Sequence, residues 1–283
     1  MFLTDFTISK ASQRKNSQMN ISFLLGAGFS VPDNYPTRWG INKRLRQISH
    51  EEIVIYSDGT AIFHNGRKDP NEWQNMDEKI FVERFIKYYT DNIIPSIDNF
   101  DYESFFDFYQ GFIKGKHKCY KFNAFTDKFR ADTRTDTNNA NLLSQFHNTF
   151  NQLLATQLTR WPKPIHLGKP YSKYPAFLNY IDSISDTFDK FYFHTLNHDL
   201  LLEEISHSDA FSEGFSDGFE ELGSPFYSKD NENKTVRLKR FTNKFDTKFS
   251  LFKLHGSIDH YIYNFQNKEY DSVKVPYELA PST

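Results

Sequence analysis

The chain has 283 residues, with 34 Lys+Arg against 36 Asp+Glu and a net charge of −2. That length holds one large domain or two small ones, and the even charge argues against nucleic acid as the main ligand. One cysteine, Cys119, excludes an intramolecular disulfide and a zinc ribbon built from Cys-x-x-Cys pairs. Thirty Phe and sixteen Tyr point to a core packed with rings, with ligand-stacking platforms as the lesser alternative.

Met1 to Asn20 is polar and carries no apolar core of signal-peptide length, so it reads as a loose N-terminal tail or an arm that orders on a partner. No run is long enough to span a bilayer, and the expectation is a soluble, cytoplasmic protein without a membrane partner. Ile21 to Ser30 then joins an apolar run to Gly26, Gly28 and Ser30, and an amphipathic stretch follows from Thr37 to about Ile48. This order predicts a buried parallel strand, a tight turn and a helix. Such a turn lets backbone approach a phosphate, with the N–H groups and dipole of the next helix aimed at it. Within Pro32-Asp33-Asn34-Tyr35-Pro36, Asn34 tolerates a left-handed backbone, and Thr37 can cap the helix carrying Trp39, Ile41, Leu45 and Ile48.

Ile53 to Tyr56 and Thr60 to Phe63, separated by Ser57-Asp58-Gly59, read as a hairpin. Helical patterns follow over Asp77 to Asp91, Tyr102 to Ile113 and Asn141 to Thr159, with a charged, irregular loop expected from Lys114 to Asn138. Three prolines and a glycine between Arg160 and Pro170 mark a crossing loop, and Tyr174 to Phe188 reads as a helix. The predicted picture is an α/β domain over residues 21–283, with a parallel sheet and a mostly helical insertion at about residues 66–164.

Two later stretches repeat the design of the first. Phe191 to Asp199 is an alternating strand that ends in Thr195-Leu196-Asn197-His198-Asp199. An amide and a carboxylate at a strand end can hold hydroxyls or a carboxamide, or either can cap the short helical pattern that starts at Leu200. Leu251 to Ser257 ends in Leu254-His255-Gly256-Ser257, where His255 is either a general base reaching into a cleft or a structural histidine. The ends of parallel strands are where open α/β sheets bind ligands. Alone, Gly26-Ala27-Gly28 falls short of the dehydrogenase fingerprint, because Val31 stands where the third glycine belongs.

Taken in order, Gly-Ala-Gly-x-Ser, Thr-x-Asn-x-Asp and Leu-His-Gly-Ser resemble the sirtuin fold family. The likeness is closest to its bacterial branch of NAD-hydrolysing domains in antiphage defence systems, and it runs from Ile21 to about Tyr261. The resemblance implies a Rossmann-like parallel sheet with NAD as substrate. It implies that Gly26, Ala27, Gly28 and Ser30 meet the pyrophosphate and that Pro36 closes the Gly-x-Pro segment, present here as Asn34-Tyr35-Pro36. It also implies that Asn197 orients the ribose and the attacking water, that Asp199 holds the carboxamide, and that His255 is the base. Thr195, Gly256 and Ser257 complete the expected binding set. Deacylating sirtuins carry a four-cysteine zinc module that one cysteine cannot build, so plain NAD hydrolysis without a metal is expected. The alternatives are a protein deacylase, an ADP-ribosyl transferase, or a module that binds NAD or ADP-ribose without cleaving it. A toxic NAD hydrolase implies a restraining homo-oligomer or a regulatory partner, such as a prokaryotic Argonaute. The family's further strands and adenosine-binding turn imply either that the chain continues beyond residue 283 in a longer protein or that its cofactor pocket is incomplete.

Overall fold

The computed structural model describes residues 19–57, 59–64, 76–114, 120–158, 173–211, 213–229, 234–265 and 269–275. The N-terminal tail, Cys119 and the proline-rich crossing at 160–170 therefore lie outside the described residues. Four parallel strands form the central sheet: β1 (Asn20–Leu25), β4 (Lys190–Thr195), β10 (Phe249–Lys253) and β5 (Phe215–Ser216), side by side in that order. The fold is mixed α/β, as the alternation of apolar strands and amphipathic helices predicts.

Register decides where the motifs meet. Leu25 pairs with Thr195, and Thr195 with Lys253, so β1, β4 and β10 end in one row. The three polar stretches leave the sheet at the same edge, although their sequence positions are far apart. Phe191, Phe193, Phe249 and Leu251 are buried against Ile181 of helix α6 (Pro175–Ser185) and Leu201, Leu202 and Ile205 of α7 (Leu201–Ile205). Rings dominate this core, with Phe23 stacked on Phe193 at 5.0 Å between centroids. β1 departs from the expected buried strand. Among the described residues it is an edge strand with one sheet neighbour, and Ile21, Phe23 and Leu25 are half-buried while Leu24 is exposed.

A second core gathers residues from Ile41 to Leu153. It joins α1 (Arg38–Arg46), the hairpin β2 (Ile53–Ile55) and β3 (Ala61–Phe63), α2 (Met76–Asn92), α3 (Tyr102–Ile113), α4 (Tyr120–Thr133) and α5 (Asn139–Leu158). The hairpin, with Gly59 at a φ of 85°, packs into this helical core rather than standing apart from it. Thr37 caps α1 by accepting from Gly40 N at 3.2 Å, and Asn34 adopts a left-handed φ of 65°. Trp39, expected on the buried face, is 66% exposed under the Lys43 ammonium.

Helix α4 overturns the expected loop at Lys114 to Asn138. Phe122 and Phe129 are seven residues apart, on one face with Phe125, and that face docks on Phe81, Phe85 and Tyr88 of α2. Asp127, Lys128 and Asp132 of the same helix are exposed. Beyond β5 the chain also forms short strands. A hairpin pairs β7 (Tyr227–Lys229) with β8 (Thr235–Arg237), and β6 (Phe219–Glu220), β9 (Lys239–Phe241), β11 (His260–Phe265) and β12 (Glu269–Lys274) make an antiparallel sheet in the order β11-β12-β9-β6.

Candidate functional site

The glycine turn follows β1 directly. Ala27–Phe29 and Val31–Asp33 are single 3-10 turns, and α1 begins at Arg38, where the amphipathic stretch from Thr37 predicts it. Phe29 N bonds Gly26 O at 2.9 Å and Ser30 N bonds Ala27 O at 3.1 Å. Among the described residues, the N–H groups of Ala27 and Gly28 have no protein acceptor, and both residues are exposed. A Cβ added at Gly26 or Gly28 would meet nothing within 4 Å. The open space and two free donors suit an anion, with the backbone rather than a helix dipole as the binding group.

Asn197 joins this turn to β4. Its Nδ2 donates to Gly26 O at 3.1 Å and to Ser30 Oγ at 2.9 Å, while its backbone N donates to Thr195 Oγ1 at 3.0 Å. Gly26 O can only accept, so the amide nitrogen must face the turn. Oδ1 is left to accept from a ligand or water, with no partner among the described residues. Ser30 is buried and braces Asn197, and Thr195, fully buried, fixes the first bend of the loop. Asp199 is buried with its Oδ1 accepting from Leu201 N at 3.1 Å, the helix-capping alternative of the two read from sequence. Pro36 is half-buried just ahead of the cap at Thr37.

The third motif forms a turn after β10. Gly256 has φ 84°, a left-handed conformation that leaves glycine the favoured residue there. Ser257 Oγ and Ile258 N both donate to His198 O, at 3.4 and 3.1 Å. His255 is exposed, and its ring centroid lies 6.2 Å from that of His198. The structure thus brings together the glycine turn, Asn197, His255, Gly256 and Ser257, and turns the carboxylate of Asp199 toward α7.

A cavity of about 480 Å³ opens beside this edge, between the sheet and the helical core. Asn148, Asn151 and Gln152 of α5 line one wall, and His198, Ser257, Ile258 and Tyr261 line the other. Leu154 and Leu158 pack against the helical core and also form part of the cavity's apolar surface. Burial holds the His198 imidazole below the usual histidine range; His255 and Lys253 push the same way, against the opposite pull of Glu103 and Asp199. The neutral form of the His198 ring is thereby favoured. Sequence reasoning passed over it, though it sits inside the second motif. The amides of α5 were also missed, since a polar stripe on an amphipathic helix looks like an ordinary solvated face. Among the described residues no cluster of His, Cys, Asp and Glu could hold a metal, and no helix is long and apolar enough to cross a membrane.

No known protein-family profile matches the chain, nor does any curated protein.

Proposed function

We propose that the protein hydrolyses NAD at the bond between nicotinamide and ribose, releasing nicotinamide and ADP-ribose. The observation that carries this reading is the joint at Asn197, whose amide bridges Gly26 O and Ser30 Oγ across 171 and 167 positions of sequence. An exposed turn with two backbone donors and the outward acceptor of the Asn197 amide then belong to one surface. In this reading the pyrophosphate rests on the N–H groups of Ala27 and Gly28, and Asn197 Oδ1 orients the attacking water or a ribose hydroxyl. The C1′–N bond breaks with its electron pair passing to the pyridine ring, and water adds to C1′ as His255 accepts its proton. Among the described residues that line the cavity, His198 alone belongs to the acidic and basic types Asp, Glu, Lys, Arg and His, which suits a ring that loses its positive charge as it leaves.

Such an activity is toxic unless restrained. The reading therefore includes a trigger, supplied by a homo-oligomer or a regulatory partner such as a prokaryotic Argonaute, in a bacterial antiphage defence system. The test is to incubate the full chain with NAD, with and without candidate partner proteins, and to resolve the products. Equal release of nicotinamide and ADP-ribose supports hydrolysis. If no condition consumes NAD although NAD binds, the protein is a binding module.

A further inference from the structure

Lys253 ends β10 immediately before the Leu-His-Gly-Ser turn, and its side chain is only 3% exposed. Its Nζ donates to the carbonyl of Asp199 and, at 3.5 Å, to that of Asn197, and it lies 3.2 Å from the Glu203 carboxylate. Two of the ammonium's three donors serve these loop carbonyls, and the Glu203 carboxylate balances its charge as an ion pair without a hydrogen bond among the described residues. The carbonyl between the two, that of His198, is held by Ile258 N and Ser257 Oγ. Three consecutive carbonyls of the loop after β4 are thus clamped by the segment from Lys253 to Ile258. Glu203 is itself set by a second cation: Lys274 of β12 stands 3.8 Å from it, 2.6 Å from Asp217 and 3.3 Å from Asp259. The antiparallel sheet is in this way tied to the loop that carries Asn197.

A buried ion pair of this kind contributes little net stability, because removing two charges from water offsets their attraction. A geometric role explains the arrangement better. We propose that Lys253 is a positioning residue for the cleavage step, holding the Asn197–Asp199 loop by its carbonyls so that the Asn197 amide keeps its seat on Gly26 and Ser30; this rests on the NAD hydrolase reading. Glu203 and Lys274 place the ammonium in turn.

The test uses the full chain with its activator and three variants, Lys253→Met, Lys253→Arg and Glu203→Gln. Lys253→Met keeps the apolar stem and removes the donors. It is expected to lower kcat by about 10- to 100-fold, the scale of a misplaced reacting group, while NAD affinity changes by less than about 3-fold. Lys253→Arg recovers part of that loss, and Glu203→Gln, which leaves the loop contacts in place, shows a smaller loss in the same direction. A second readout needs no activity: the side-chain amide protons of Asn197, followed by NMR, shift and exchange faster in Lys253→Met. Should Lys253→Met not fold, Glu203→Gln with the same two readouts decides. Unmoved Asn197 signals together with wild-type turnover overturn the positioning role. Disturbed Asn197 signals in a protein that never consumes NAD uphold the clamp and overturn the hydrolase reading instead.

Discussion

Asn197 donates to a carbonyl and a hydroxyl of the glycine turn, and those contacts settle which end of its amide faces outward. His255 stands on the neighbouring turn, exposed and without a hydrogen bond to the protein among the described residues. If Asn197 orients water and His255 takes its proton, the alanine variant of each lowers NAD turnover by roughly 10²- to 10⁴-fold with little change in NAD affinity. The double variant is then little worse than either single one, because the two groups act on one step. Turnover of His255→Ala at the wild-type rate would assign the proton to another group, with His198 the nearest ring. Gly28→Val tests the phosphate seat. Its Cβ would meet no protein atom within 4 Å, so the fold should persist with an unchanged Tm while the branched side chain fills the anion's place. Calorimetry should show NAD affinity at least about 10-fold weaker, a change of about 1.4 kcal/mol; unchanged affinity would remove the turn from the binding site.

Helix α3 is an element whose start is set by electrostatics. Asp101 caps it through Ser104 N at 3.1 Å and also meets Arg38 Nε of α1 at 2.8 Å, so one carboxylate joins two helices. Burial works against the ionised form, but the bonds from Arg38, Ser104 and Asn42 outweigh it and hold the Asp101 carboxyl down at about 2. Because this value lies below the roughly 3.9 of an unfolded chain, the stabilisation is present above about pH 4 and is lost as pH falls through about 2. Asp101→Ala should therefore destabilise by about 1 kcal/mol at pH 7, the ordinary worth of a helix cap. The difference from wild type in denaturant titrations should shrink toward pH 2; a gap independent of pH would show that packing, not charge, joins α1 to α3.

Among the described residues two large aromatic cores, one under the parallel sheet and one inside the helical unit, stand beside a smaller cluster around Phe226, Leu238, Val273 and Val275, and the cavity lies where the two large ones face each other. Phe85 is fully buried in the helical core, with Phe146 at 4.9 Å and Phe122 at 5.3 Å between ring centroids. Phe85→Ala should cost about 3–5 kcal/mol in chemical denaturation, and a loss below about 1 kcal/mol would mean that the ring sits in a site able to collapse. The sequence by itself determined the strands β1, β4 and β10, the cap at Thr37, the left-handed Asn34, the β2–β3 hairpin and the amphipathic helices α2, α3 and α5. Each of these follows from short-range periodicity or turn chemistry. Periodicity also held the signal for α4 in Phe122, Phe125 and Phe129, but dense charge between those rings masked it. Local pattern says nothing about which strand neighbours which, so only the tertiary structure decided that β1 borders the sheet among the described residues and that Leu25, Thr195 and Lys253 end in one row. It also decided the work of individual polar groups. Asp199 caps α7, Ser30 braces Asn197, and Lys253, one charge within an apolar run, holds a loop 54 residues away in sequence. A side chain's partner is set by packing between distant segments, and residue type and spacing specify only what that partner must be able to donate or accept.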